Sequence, residues 1–175
     1  MGCRVWQESA YTCTLEVKSG GIEHAGKALS PRKGIKLGTS KAYRLFASQN
    51  FSPRLTNHII TVSKQKKVDP ILVYAVMKQE SGFRLKAVSH AGAKGPMQVM
   101  PFHFPHCGVS DGFNAYQNTT CGIGILADAL NDAHGNVKIA LSLYNSGKKN
   151  GYLRFNETKN YVRNITAHYN KLKGA

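Results

Sequence analysis

The side chains that could move a proton are few. Nine carboxylates occur in the 175 residues: Glu8, Glu16, Glu23, Asp69, Glu80, Asp111, Asp128, Asp132 and Glu157. Glu80 has the most telling setting. It ends the run Ile71-Leu72-Val73-Tyr74-Ala75-Val76-Met77-Lys78-Gln79-Glu80. Asp69 before Pro70 reads as an N-cap acid with proline at the first helical position, and Gly82 reads as the C-terminal stop. The segment is apolar nearly all round, which predicts a buried central helix with Glu80 in its last turn. Desolvation penalises the anion there, and the negative end of the helix dipole repels it. A carboxylic acid kept neutral near neutral pH can give a proton to a leaving oxygen. The plainer reading is a glutamate that points to solvent or pairs with a lysine, and helix position alone favours it.

Cys3, Cys13, Cys107 and Cys121 form two sequence-local pairs and no C-x-x-C motif. Two local disulfides would place the chain in an oxidising compartment, although reduced buried cysteines give the same pattern. His103, His106, Cys107 and Cys121 offer a zinc set, but at irregular spacing.

The elements that must position these groups are mostly helical. Arg54–Lys66 carries Leu55, Ile59, Ile60 and Val62 near one face, with Lys64, Lys66 and Lys67 where cations suit the dipole. Ala87–Pro101 holds Gly92, Gly95, Pro96 and Pro101 and reads as short turns. Cys121–Ala133 and Val137–Tyr144 have helical spacing, the second with Asn136 as cap, and Asn160–Leu172 reads as a terminal helix. Residues 1–41 differ. Thr12–Lys18 alternates ahead of Ser19-Gly20-Gly21, predicting a strand or hairpin, and residues 26–39 are basic and loop-like. The expected division is a basic N-terminal extension over 1–41, with no function assigned, and one catalytic-sized domain over 42–175.

With 42% hydrophobic residues and a length that hides roughly 70% of the unfolded surface, the chain can build a real core. Its longest apolar run, Ile71–Met77, is far short of a membrane span. Twenty-four Lys and Arg against nine acids give a net charge of +15, which calls for a polyanionic partner: nucleic acid, acidic lipid or an acidic cell-wall polymer. The opening residues, with Trp6, Gln7 and Glu8, show no apolar export leader, so a removed leader or another route to the workplace is expected.

Read in order, five strings are informative together. They are Glu80-Ser81-Gly82-Phe83; Ser89-His90-Ala91-Gly92-Ala93-Lys94-Gly95-Pro96-Met97-Gln98-Val99-Met100-Pro101; Asn118-x3-Gly122-x3-Leu126; Ala140-x2-Leu143-Tyr144-Asn145-Ser146-Gly147; and Glu157-Thr158-x-Asn160-Tyr161-Val162. Their order and spacing over about Leu55–Leu172 closely resemble the family 1 lytic transglycosylases, the soluble-transglycosylase-like domain related to goose-type lysozyme. The resemblance implies a mainly α, lysozyme-like fold with a short N-terminal β or loop extension.

It also implies cleavage of the β-1,4 bond between N-acetylmuramic acid and N-acetylglucosamine in peptidoglycan. Glu80 would act as acid and then base, and the sugar's own C6 hydroxyl would close a 1,6-anhydro product. One carboxylate suffices for that, whereas retaining and inverting glycosidases ordinarily use two. By the same resemblance, Ser89 and Gln98 would hydrogen-bond the sugars, Met97 and Met100 would form apolar groove walls, and Tyr144 and Asn145 match the family's A-Y-N-A-G segment, in which the tyrosine would approach the catalytic carboxyl and help orient it or modulate its acidity. Tyr161 would line the cleft; core methionines and a core tyrosine are the bland alternatives. Pro96, Leu143 and Ser146 depart from the leucine and two alanines usual in the family, which bears on groove shape more than on the reaction. A Cys107–Cys121 bridge would brace a loop beside the cleft.

Neither metal nor organic cofactor is called for. The expected partner is the peptidoglycan glycan strand, met on the periplasmic or wall-facing side, within the context of a phage particle or a secretion or conjugation apparatus. Two rivals remain: a hydrolytic lysozyme on the same fold, and a basic helical nucleic-acid binder. The second leaves the ordered motifs unexplained, and no helix concentrates Arg with base-reading residues.

Overall fold

The computed structural model describes residues 40–174. The strand or hairpin expected over Thr12–Lys18, together with Cys3 and Cys13, lies outside the described residues. Eight α-helices follow in order: α1 Lys41–Ala47, α2 Pro53–Gln65, α3 Pro70–Ser81, α4 Phe104–Cys107, α5 Ala115–Asp132, α6 Val137–Ser146, α7 Gly151–Arg154 and α8 Asn156–Lys173, with a 3₁₀ turn at Pro101–His103. Among the described residues there is no strand. Two isolated antiparallel bridges, Val88 with Lys94 and Lys94 with Val99, knit the glycine-rich segment between α3 and the 3₁₀ turn.

Helix α3 starts and stops where its cap residues dictate. The Asp69 carboxylate accepts from the Ile71 N–H at 2.8 Å, Pro70 needs no partner for a missing N–H, and Gly82 adopts the left-handed conformation at φ 57°. Between the caps, Val73, Val76 and Met77 are wholly inaccessible, and Leu72 and Ala75 nearly so. Leu72, Val73, Val76 and Met77 each contribute about 1.5–3 kcal/mol through burial. The core continues into Phe46 of α1, Ile59 of α2, Ile123 and Leu126 of α5, Leu141 of α6 and Ile165 of α8.

Helix α8 packs along α3 in the opposite direction and holds it at both ends. Near the start of α8, Tyr161 donates to Glu80 at the C-terminal end of α3. Near its finish, the Tyr169 hydroxyl and Lys173 ammonium each reach the Asp69 carboxylate at 2.9 Å. Burial raises the pKa of Asp69, but the hydrogen bonds from Lys173, Ile71 and Tyr169 outweigh it and hold the group below its ordinary value.

Three helices are longer than the sequence pattern predicts. α5 begins at Ala115 rather than Cys121, because Asn114 caps Tyr116 and Gln117 and the Thr119 and Thr120 hydroxyls bond back to the carbonyls of Ala115 and Tyr116. Those polar residues hide the apolar period while being part of the helix. α8 begins at Asn156, four residues ahead of the apolar stripe, and α6 runs two residues past Tyr144 to a left-handed Gly147. The 3₁₀ turn and α4, built around Pro101 and Pro105, had no periodic signal because each spans a single turn.

The double use of Asp69 gives a testable consequence. Asp69→Ala should cost about 1–2 kcal/mol at neutral pH, the usual loss for a helix N-cap. Because the native carboxylate titrates below its unfolded value, its contribution is complete above the unfolded pKa of 3.8 and is lost as pH falls through the lower native value. Urea unfolding at pH 7 should therefore separate wild type from variant, and the gap should narrow below about pH 4.

Candidate active site

Glu80 sits in the last turn of α3 with only partial exposure. Burial pushes its carboxyl up to about 7, against an opposing hydrogen bond from Tyr161 that favours the anion. The Tyr161 hydroxyl donates to Oε1 at 2.5 Å. Burial, reinforced by the adjacent Glu80 charge, drives Tyr161 and Tyr144 well above the ordinary tyrosine range, so both keep their protons and act as donors. Tyr144 also lies within electrostatic reach of Glu80, but its hydroxyl is bound at 2.9 Å to the Met97 carbonyl oxygen. Tyr161 thus makes the hydrogen bond to Glu80, while Tyr144 stays within electrostatic reach of the carboxyl and ties α6 to the glycine-rich segment.

That segment is drawn against the end of α3 by buried polar groups. The Ser81 hydroxyl, 2% exposed, lies 2.8 Å from the Pro96 carbonyl oxygen. Asn118 of α5 is wholly inaccessible and makes three bonds: its Oδ1 accepts from Met97 N–H at 3.0 Å, and its Nδ2 donates to the carbonyls of Lys94 (2.8 Å) and Gly112 (3.0 Å). Gly95 is held at φ 76°, and a Cβ there would fall 2.5 Å from the Asn118 amide nitrogen. One turn further along α5, a Cβ on Gly122 would meet Met97 at 2.6 Å. The spacing Asn118-x3-Gly122-x3-Leu126 is thus a packing seam that accepts the loop backbone, then the Met97 side chain, then the core.

The remaining sequence-derived candidates divide by where their atoms are engaged. Met97 is wholly buried against Gly122 and presents no surface to a ligand, so the core reading applies and the groove-wall expectation is corrected for it. Met100 stays partly exposed at the entry to the 3₁₀ turn. Gln98, at φ 49°, spends its amide hydrogens on the carbonyls of Gly95 (2.8 Å) and Ala87 (3.3 Å), which turns the group into an acceptor toward the outside. The Ser89 hydroxyl accepts from Ala93 N–H at 3.0 Å, leaving its own proton to donate. Asn145 is exposed on α6, with its Oδ1 fixed by the Thr158 hydroxyl at 2.8 Å, so its amide donors are the part left to point elsewhere. Thr158 precedes Tyr161 by one turn of α8, which places Asn145 beside the element that carries the Glu80 partner.

Sequence reasoning missed Ser81, Asn118 and Thr158 as positioning residues, although all three stand inside the quoted motifs. The signal was their polarity at helical positions that face the core. Cys107 and Cys121 are joined as a disulfide, which closes a loop of 14 residues and takes both sulfurs away from the zinc alternative. A loop of that length contributes about 3 kcal/mol in the chain-entropy model. It fastens α4 to α5 one residue before Gly122, beside the Met97 contact.

Two stability measurements probe this arrangement. An acid whose native pKa rises from 4.5 to about 7 subtracts stability as pH climbs between those values, because the folded state then binds more protons than the unfolded one. Glu80→Gln should consequently be more stable than wild type at pH 8, by on the order of 2–3 kcal/mol, with the difference vanishing near pH 4. Asn118→Ala should lose on the order of 2–4 kcal/mol at any of these pH values, since the Met97 N–H and the Gly112 carbonyl lose this partner and the Lys94 carbonyl keeps only the Val99 N–H. Thermal melts across pH 4–8 would read both.

The transglycosylase SLT domain model matches residues 57–167. Among curated proteins, the transglycosylase of Enterobacteria phage PRD1 is 33% identical over 112 residues, 64% of this chain and 42% of the phage protein. Membrane-bound lytic murein transglycosylase F of Desulfosudis oleivorans is 35% identical over 101 residues, 54% of this chain and 22% of that protein. The chain therefore spans less than half the length of either relative. Solved structures with the same fold include an inactive mutant of the lytic transglycosylase Slt from Pseudomonas aeruginosa (TM-score 0.60, 19% identity, 77% of this chain and 29% of that one). The complex of a 70-kDa soluble lytic transglycosylase with bulgecin A gives a TM-score of 0.62 at 20% identity, over 77% of this chain and 25% of that one. These likenesses carry the mainly α, lysozyme-like fold. With the family model covering more than half of the sequence, the chain belongs to the transglycosylase SLT domain family.

Proposed function

We propose that this chain is a peptidoglycan lytic transglycosylase that cleaves the N-acetylmuramic acid–β-1,4–N-acetylglucosamine bond with Glu80 as acid and then base. The observation that carries the reading is a carboxyl pushed up to about 7 by burial, with a tyrosine hydroxyl donating to it. Protonated Glu80 gives its hydrogen to the bridging glycosidic oxygen as the C1–O bond breaks. The resulting Glu80 anion accepts the Tyr161 hydrogen bond, which stabilises it while the cationic sugar persists. It then takes the proton of the C6 hydroxyl as O6 attacks C1. No water is consumed, the glutamate returns protonated, and the product ends in a 1,6-anhydro ring.

Among the described residues, the placement of the other acids favours this route over one needing a second catalytic carboxylate, with Glu157 exposed in the first turn of α8. Asp69 lies at the opposite end of α3, about 16 Å along the axis. Asp128 interacts with Lys66 and Asp132 on the far part of α5, and Asp111 caps the Phe113 N–H. Burial and Tyr161 account for the Glu80 shift without a neighbouring carboxylate. Two-carboxylate glycosidases place the second group roughly 5–9.5 Å away.

The Cys107–Cys121 bridge fits work in an oxidising, wall-facing compartment. The +15 charge fits adsorption to a polymer rich in carboxylates and phosphates. No helix of the described residues is long and apolar enough to cross a membrane. A relative from a phage makes a wall-penetrating particle one setting for such a domain, alongside secretion or conjugation machinery.

Mass spectrometry of digested peptidoglycan tests the reaction. Wild type should release anhydro-muropeptides and Glu80→Gln none. Products heavier by one water would replace this reading with a hydrolytic muramidase, and no products from either protein would refute both. Since the acid must be protonated, kcat/KM should fall as pH rises through about 7. Tyr161→Phe removes a donor to the anion, so it should move that falling limb to higher pH while lowering the rate.

A further inference from the structure

Asn150-Gly151 is the one asparagine–glycine pair in the sequence, and it stands in the turn between α6 and α7. Such a pair has its own chemistry. Glycine has no Cβ to shield its nitrogen or restrict the backbone, so that nitrogen can reach the preceding side-chain amide carbon. Asn150 is exposed, at φ -100° and ψ 16°, and its side chain makes no capping bond to α7. Its nearest rivals are tied down. Asn145 precedes the small Ser146, but its Oδ1 is held by the Thr158 hydroxyl. Asn114 and Asn136 engage their side-chain oxygens in capping α5 and α6. The Asp111 carboxylate, which precedes Gly112, accepts from Phe113 N–H.

The glycine side of the pair has little slack. Gly151 is buried against the Ser146 hydroxyl with no room for a side chain, and its N–H donates to the Lys148 carbonyl at 3.0 Å. The Ser142 hydroxyl donates to that same carbonyl at 2.6 Å and accepts from Tyr152 N–H at 3.1 Å, which fastens α7 to α6. Yet α7 is a single turn, Gly151–Arg154, and its Leu153 is 71% exposed. Short exposed elements of this kind open locally at far less cost than global unfolding. Each opening frees the Gly151 nitrogen. Lys148 and Lys149, both exposed and next in the chain, favour the negative charge on that nitrogen as it loses its proton.

We propose that Asn150 is a site of spontaneous deamidation and that its isoaspartyl product releases α7 from the end of α6. The Gly151 nitrogen gives its proton to solvent hydroxide and attacks Cγ of Asn150. The N–Cγ bond forms, the bond from Cγ to the side-chain nitrogen breaks, and ammonia leaves with a proton taken from water. Water then opens the cyclic imide. Breaking the link from the Gly151 nitrogen to the Asn150 backbone carbonyl gives isoaspartate, whereas breaking the new link gives aspartate. Isoaspartate routes the main chain through Cβ and Cγ, which lengthens it and leaves a free carboxylate. A longer chain there cannot keep both the Gly151 bond to Lys148 and the Tyr152 bond to Ser142, because buried Gly151 has no space into which to move. The corner therefore ages, faster as pH rises, and gains a negative charge beside its lysines.

The test ages the purified protein at pH 6 and pH 8 and follows its asparagines by mass spectrometry of tryptic peptides. Isoaspartate is counted by methyl transfer from a protein isoaspartyl methyltransferase. Most of the isoaspartate in the chain should lie at Asn150, in a peptide about one dalton heavier, and should form faster at pH 8. Asn150→Gln, which closes a larger ring far more slowly, should stay unmodified at that position. Hydrogen exchange in α7 and the last turn of α6 should quicken as the isoaspartate forms, while Asn150→Gln aged alongside keeps its protection. An Asn150 that survives as long as Asn145 would overturn the site. Modification with unchanged exchange in α7 would overturn the release. So would an equal loss of protection in freshly made Asn150→Asp, which has the charge without the longer chain.

Discussion

The hydrogen bond between Tyr161 and Glu80 joins side chains 81 residues apart, and the two helices that carry them organise the rest of the molecule. Helix α3 places a carboxyl where burial and the helix C-terminus both oppose ionisation. Helix α8 supplies a hydroxyl too deeply buried to ionise, hence always a donor. The first effect favours the neutral carboxyl and the second favours its anion. Neither helix could do this alone, because the donor must approach from a direction that α3 itself cannot supply.

The same antiparallel pair closes the opposite end of α3, where Tyr169 and Lys173 converge on the capping carboxylate of Asp69. The two acids at the ends of one helix thus have opposite electrostatic fates. Asp69 gains donors and a cation and is held as an anion, while Glu80 is desolvated and held closer to neutrality. One end is a stabilising device and the other subtracts stability at neutral pH. A chemically useful protonation state is maintained by the packing of everything between them.

The glycine-rich segment is knit by turns and two isolated bridges, and side chains from elsewhere fix where it sits. Asn118 holds two of its backbone groups and the Gly112 carbonyl from within α5, Ser81 lies against Pro96, and Tyr144 takes the Met97 carbonyl. A buried amide that satisfies two carbonyls and one N–H at once tolerates little displacement of any of them. This explains why residues distant in sequence recur as one ordered set of motifs: the seam on α5, the end of α3 and the middle of α6 all contact the same short loop. The disulfide at Cys121 adds a covalent restraint on the neighbouring α4.

Much of this was legible beforehand because the relevant forces are local. The bounds of α3 follow from a proline, an acid and a glycine whose backbone preferences act within one turn, and its burial follows from an apolar run with no polar face. The burial of Glu80 and the upward push on its pKa were legible from its place in that run. Helix starts at Ala115 and Asn156 were not legible, because polar residues there serve tertiary hydrogen bonds and interrupt the apolar period. Which tyrosine meets Glu80 was also undetermined: Tyr144 and Tyr161 both lie in the motifs, and the choice depends on the angle at which α6 and α8 cross the end of α3. Likewise only the packed structure sends Met97 into the core and leaves Met100 partly exposed. The sequence by itself determined the elements, their caps and the one acid worth burying. The tertiary structure decided its hydrogen-bond partner, the loop's anchor and the surface beside it, since those depend on distances between helices and not on periodicity within them.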